Sequence, residues 1–124
     1  METDYPPLTL AYLGDAVFEL LVRKKVVSEN GARLGVLNKI SESYVKAGSQ
    51  AKIYHKILPF LSEREAAVLK RGRNTKGNVT SKSAAVTDYR HATGLEALFG
   101  YLYITGQFER LNEIFEICVK AEDE

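Results

Sequence analysis

Apolar residues return every three or four positions along most of this chain. Leu10, Leu13, Val17, Leu20, Leu21 and Val26 form the first such stripe, which predicts an amphipathic helix from near Leu8 to a stop at Ser28-Glu29-Asn30-Gly31. Pro6-Pro7 closes a short flexible lead before it. Leu34, Leu37, Ile40, Tyr44, Ala47, Ala51 and Tyr54 trace a second helical stripe, closed at Pro59. Ser62-Glu63-Arg64-Glu65 reads as a capping box, with Gly72 as the stop of the helix it opens. From Gly72 to about Ala85 there is no periodicity and many turn formers, which predicts a loop. Ala92, Leu95, Phe99 and Leu102 lie on one stripe of a helix expected from Asp88 to Gly106, with Asp88 as its cap. Leu111, Ile114, Phe115 and Cys118 mark a last helix from about Phe108 to Ala121. No stretch alternates with period two, so the expectation is one all-α domain over residues 1–124.

Two acids break this pattern. Asp15, in Tyr12-Leu13-Gly14-Asp15-Ala16-Val17-Phe18, has leucines and valines on both sides and no basic near neighbour. Glu96, in Gly94-Leu95-Glu96-Ala97-Leu98-Phe99-Gly100, repeats the arrangement. A carboxylate is costly to dehydrate unless something positive compensates it, so both are expected to be buried around a shared cation. Hard oxygen ligands suit Mg²⁺, with Mn²⁺ as a substitute. A helix cap at Asp15, or a structural partner such as Arg90 for Glu96, is the plainer alternative. Glu19 lies one turn after Asp15, but Arg23 follows it at the i,i+4 spacing of a surface ion pair. His55 and His91 are not spaced for a common metal site, which disfavours zinc.

Charge adds a partner. The formal net charge of +1 hides a segregation. Residues 1–22 carry −4; residues 23–56 carry +6, from eight Lys/Arg against Glu29 and Glu42. Residues 64–91 carry +5, from seven Lys/Arg against Glu65 and Asp88, and residues 107–124 carry −4. Basic regions beside an acidic pair suit a polyanion held near bound metal. Within 70–78, Lys70, Arg71, Arg73 and Lys76 alternate with Gly72, Asn74 and Gly77, a composition able to follow a phosphate backbone. Arg71, Arg73, Asn74, Lys76, Lys82 and Arg90 are the candidate RNA-binding residues. The spacing of a Walker-type phosphate loop is absent. Cys118 is the only cysteine and sits in an apolar stripe, so it reads as a buried thiol, and no signal or membrane segment is evident. A cytoplasmic location follows.

At this point the chain resembles the ribonuclease III endonuclease domain. The likeness rests on Tyr12-Leu13-Gly14-Asp15-Ala16-Val17 and Leu95-Glu96-Ala97-Leu98-Phe99-Gly100. Lys70-Arg71-Gly72-Arg73-Asn74 and Ser49-Gln50 are similar, more narrowly, to Mini-ribonuclease III, the short form without a double-stranded-RNA-binding domain. The resemblance implies an all-helical homodimer that cleaves double-stranded RNA with Mg²⁺, held by Asp15 and Glu96 as catalytic residues. It also implies maturation of large-subunit (23S) ribosomal RNA precursor. Two further family acids are replaced here by Ala11 and Thr93. The competing expectations are a non-catalytic RNA-binding module of the same fold, associated with the ribosome, and a helical protein-interaction domain.

Overall fold

A computed structural model describes residues 3–31, 33–75 and 84–123, and among them all regular structure is helical. The order is α1 (Pro7–Asn30), α2 (Leu34–Val45), α3 (Ala47–Ile57), a 3₁₀ turn (Leu58–Phe60), α4 (Glu63–Asn74), α5 (Ala84–Ile104) and α6 (Phe108–Asp123). None of these helices is long and apolar enough to cross a membrane.

Helix α5 is the axis of the fold. From Ala92 to Leu102 every residue except the half-buried Glu96 is buried, so this helix is covered on all sides rather than along one stripe. Helices α1, α3, α4 and α6 pack around it. Phe18 of α1, Phe99 of α5 and Phe115 of α6 meet edge to face, with centroids 5.1 to 6.5 Å apart. Cys118 is buried and free, and desolvation pushes its thiol pKa upward, as befits a packing residue.

Two glycines let α1 and α5 touch backbone to backbone. A Cβ on Gly14 would stand 1.6 Å from the Glu96 carbonyl oxygen, and one on Gly100 would stand 1.9 Å from that of Leu10. No side chain fits at either place.

The structure corrects three boundaries. The stripe from Leu34 to Tyr54 spans two helices, because Lys46 is extended (φ −68°, ψ 152°) and ends one while opening the next. The apolar phase survives the break, which hides it from periodicity; the Ser49 hydroxyl bridges it by donating to the Ser43 carbonyl at 2.6 Å. Gly72 is no stop. It lies buried in α4, where a Cβ would come within 2.9 Å of the Gly94 Cα, so it serves a tight α4–α5 crossing. Lys70, Arg71, Arg73 and Asn74 therefore stand on helix, not on loop. Asp88 is not a cap, since α5 starts at Ala84 and carries it in its second turn.

The capping box is present, with Ser62 and Glu65 exchanging both bonds. Glu65 does more than cap. Arg110 of α6 donates to both its oxygens, at 2.8 and 2.9 Å, and also to the Phe60 carbonyl. That bidentate bond is the first cause of the lowered Glu65 pKa, ahead of the opposing effect of burial.

Candidate active site

The glycine contact dictates where the two acids sit. Because Gly14 abuts the Glu96 backbone, the next residue of α1 and the Glu96 side chain leave the crossing side by side. Their carboxyl groups come within hydrogen-bonding reach of one another. Asp15, one residue round the helix from the buried Gly14, is exposed; Glu96 is half-buried. The expectation of two buried acids is thus corrected at Asp15. A residue flanked by apolar neighbours still faces water when its own direction, about 100° from the contact, leads out of the core.

Burial is the largest influence on Glu96, followed by its hydrogen bond to Asp15 and the charge of Asp15. Together they push its pKa to about 8. Gln50 of α3 works against them by donating a side-chain hydrogen bond to the Glu96 carboxylate. Gln50 is only 3 % exposed, so its amide is held in place for that bond. Two carboxyls pressed together either share a proton or share a cation, and an all-oxygen pair fits a hard divalent ion.

No group of three or more His, Cys, Asp or Glu suited to a metal exists among the described residues. Ala11 is buried, and the Thr93 hydroxyl is taken up by the Tyr89 carbonyl of its own helix at 2.8 Å. Neither position brings an acid to the pair. Glu19 forms its expected surface ion pair with Arg23 at 3.0 Å. Arg90 is no partner of Glu96; it lines a separate hollow.

The basic residues divide between two surfaces. Arg71 lines a cleft of about 590 Å³ with Arg64, Tyr5 and Tyr101. Arg73, Asn74 and Arg90 meet elsewhere, with Thr87 and His91, in a hollow of about 280 Å³ between the end of α4 and α5. Lys76 and Lys82 lie outside the described residues.

Known proteins resemble this chain over most of its length. The model of the Ribonuclease III domain matches residues 8–107, which contain both acids. The chain belongs to the ribonuclease III family. It is 47% identical over 118 residues to the Mini-ribonuclease 3 of Thermoanaerobacter sp., covering 95% of this chain and 83% of that one. The Mini-ribonuclease 3 of Desulfitobacterium hafniense is 50% identical, over 88% of this chain and 69% of its own length. Among solved structures, the crystal structure of FN1578 from Fusobacterium nucleatum superposes with a TM-score of 0.81 at 38% identity, over 96% of this chain and 95% of that one. As a ribonuclease III domain this chain is an endoribonuclease, and its fold is the all-α fold expected from periodicity.

Two spatial arrangements in this ribonuclease III domain escape the sequence. Gln50 enters the sequence reading only through the likeness of Ser49-Gln50 to Mini-ribonuclease III, with no role attached to it. His55 and His91, too far apart in sequence to suggest a pair, have ring centroids 4.5 Å apart.

Proposed function

We propose that this endoribonuclease hydrolyses double-stranded RNA in a reaction that needs Mg²⁺, with Asp15 and Glu96 holding the ion. The observation that carries the reading is the meeting of two carboxyls at a backbone contact between α1 and α5, backed by a buried amide. A divalent cation bound there supplies a more acidic water and offsets the charge that builds on the phosphate. The chain's own part is positional. Asp15 and Glu96 supply oxygen ligands, and the Gln50 amide orients the Glu96 carboxylate. Water adds to phosphorus, the bond to the 3′ oxygen breaks and that oxygen takes a proton. The products carry a 5′-phosphate and a 3′-hydroxyl.

Arg71, Arg73, Asn74 and Arg90 are read as contacts to RNA, and so are Lys76 and Lys82. The substrate is read as ribosomal RNA precursor of the large subunit, as the resemblance to Mini-ribonuclease III implies. A cytoplasmic location fits the buried, unpaired Cys118. The test is cleavage of a long RNA duplex. Cutting should occur with Mg²⁺ or Mn²⁺ and stop with chelator, and end-labelling should find 5′-phosphates. Binding of the duplex without cutting in Mg²⁺ would instead leave a non-catalytic RNA-binding module.

A homodimer belongs to the same reading. Leu8, Tyr12 and Leu20 are 43%, 84% and 65% exposed on the outer surface of α1, with Leu8 and Tyr12 on the side that also bears Asp15. An apolar strip of this kind on a helix suits a second copy of the chain. Leu20→Glu should therefore sediment as a monomer at concentrations where the parent is dimeric. A Leu20→Glu protein of unchanged size would remove this face from the interface.

A further inference from the structure

The hollow between α4 and α5 has a composition that the acid pair does not account for. Arg73 and Asn74 come from the last turn of α4, and Thr87, Arg90 and His91 from α5. The Arg73 Nε donates to the Asn74 side-chain oxygen at 3.0 Å, which holds the two together. Neither arginine forms an ion pair with a carboxylate among the described residues. Below them, the Arg73 guanidinium lies 6.0 Å from the centroid of the Tyr54 ring. The Tyr54 hydroxyl is buried, and burial pushes its pKa up while the charge and hydrogen bond of Arg73 oppose that rise.

His91 forms one wall. Its Nδ1 donates to the Thr87 carbonyl at 2.9 Å, so Nε2 is the nitrogen that gains or loses a proton. Facing it are Tyr54 and His55 of α3, Arg73 of α4, and Asp88 and Arg90 of its own helix. Burial is the main cause of its lowered pKa, with His55 and Arg73 adding to it and Asp88 opposing. A neutral imidazole beside two unpaired guanidiniums is a site poised to take an anion together with a proton.

This hollow is separate from the acids. Arg90 and His91 precede Glu96 by six and five residues, about 7–9 Å along the axis, and point from a different side of α5. We propose that it is a phosphate subsite in which Arg73 and Arg90 bind the anion and His91, backed by His55, links that binding to proton uptake. For RNA as the source of the phosphate, the inference rests on the function proposed above; for the site itself it does not. The sign follows from linkage. An anion raises the pKa of His91, so affinity is weakest where the imidazole stays neutral and grows as pH falls through the raised value.

The chain has two histidines, and both are here, so their Hε1 proton resonances report on this hollow without background. In metal-free protein, inorganic phosphate should shift the His91 resonance and raise its titration midpoint by about one pH unit, matched by about tenfold tighter binding at low pH than at high. Sodium chloride of equal ionic strength should not do so, and Arg73→Ala with Arg90→Ala should abolish the response. A short RNA duplex that moves the same resonance identifies backbone phosphate as a source; a response to inorganic phosphate alone identifies a free phosphate site. Equal shifts with chloride, or none with either ligand, overturn the proposal. Duplex cleavage that persists alongside silent histidines would fell this subsite and leave the nuclease reading standing. Shifted histidines with no cleavage would do the reverse.

Discussion

Asp15→Asn and Glu96→Gln should each fold and lose at least about a thousandfold of duplex cleavage in Mg²⁺, equivalent to about 4 kcal/mol of barrier. The expected stability separates this loss from unfolding. Without a cation Glu96 is protonated below about pH 8, so Glu96→Gln replaces one neutral group by another, and Asp15→Asn removes the charge that helps to raise the Glu96 pKa. Both variants should melt at or above the parent temperature without metal. They should also lose the stabilisation that Mg²⁺ gives the parent, a thermal-shift readout independent of activity. Glu19→Gln is the matched control, because that carboxylate serves only an exposed pair with Arg23. An Asp15→Asn protein that cuts at the parent rate would end the assignment.

The same pair sets a pH dependence. Glu96 keeps its proton up to about pH 8 in the absence of a cation, and a metal ligand must be deprotonated. Mg²⁺ therefore has to displace that proton, and its apparent affinity should climb with pH until about 8 and then level off. Glu96→Gln should flatten this slope.

Gly14→Ala and Gly100→Ala should be the most damaging single-methyl additions in the chain. Each places a carbon less than 2 Å from a carbonyl oxygen of the facing helix, at 1.6 and 1.9 Å. Backbone cannot rotate aside as a side chain can, so α1 and α5 must separate. The cost should be roughly 3 kcal/mol or more, at or above the upper end for overpacked cores. Urea denaturation measures it directly. Gly35→Ala makes the contrast, since nothing lies within 4 Å of its Cβ position on α2. There the better helix propensity of alanine should stabilise by about 0.5–1 kcal/mol. A Gly14→Ala protein as stable as the parent would mean that the two helices do not touch. It would also remove the reason for Asp15 and Glu96 to meet.

Helix class, the capping box at Ser62 and the two acidic motifs are legible in order along the chain, because each depends on neighbours within about one turn. Sequence periodicity states which residues share a side of one helix. It does not state which helix covers that side. Hence Leu20 belongs to an apolar stripe yet is exposed, and Asp15 has apolar neighbours yet faces water. Glycine is ambiguous for the same reason. Gly31, with φ 78°, ends α1 as expected, whereas Gly72 serves a helix crossing that only the position of Gly94 reveals.

By itself, then, the sequence determined an all-helical chain bearing two acids in apolar settings and a basic stretch between them. The tertiary structure decided that these acids touch, that Gln50 steadies one of them, that Glu65 binds Arg110 across 45 positions, and that two histidines stand ring to ring. Hydrogen bonding and periodicity within a helix reach only three or four residues. Contacts between helices are set by where the backbones can approach, and here that is at glycines whose missing side chains have meaning only beside their neighbours.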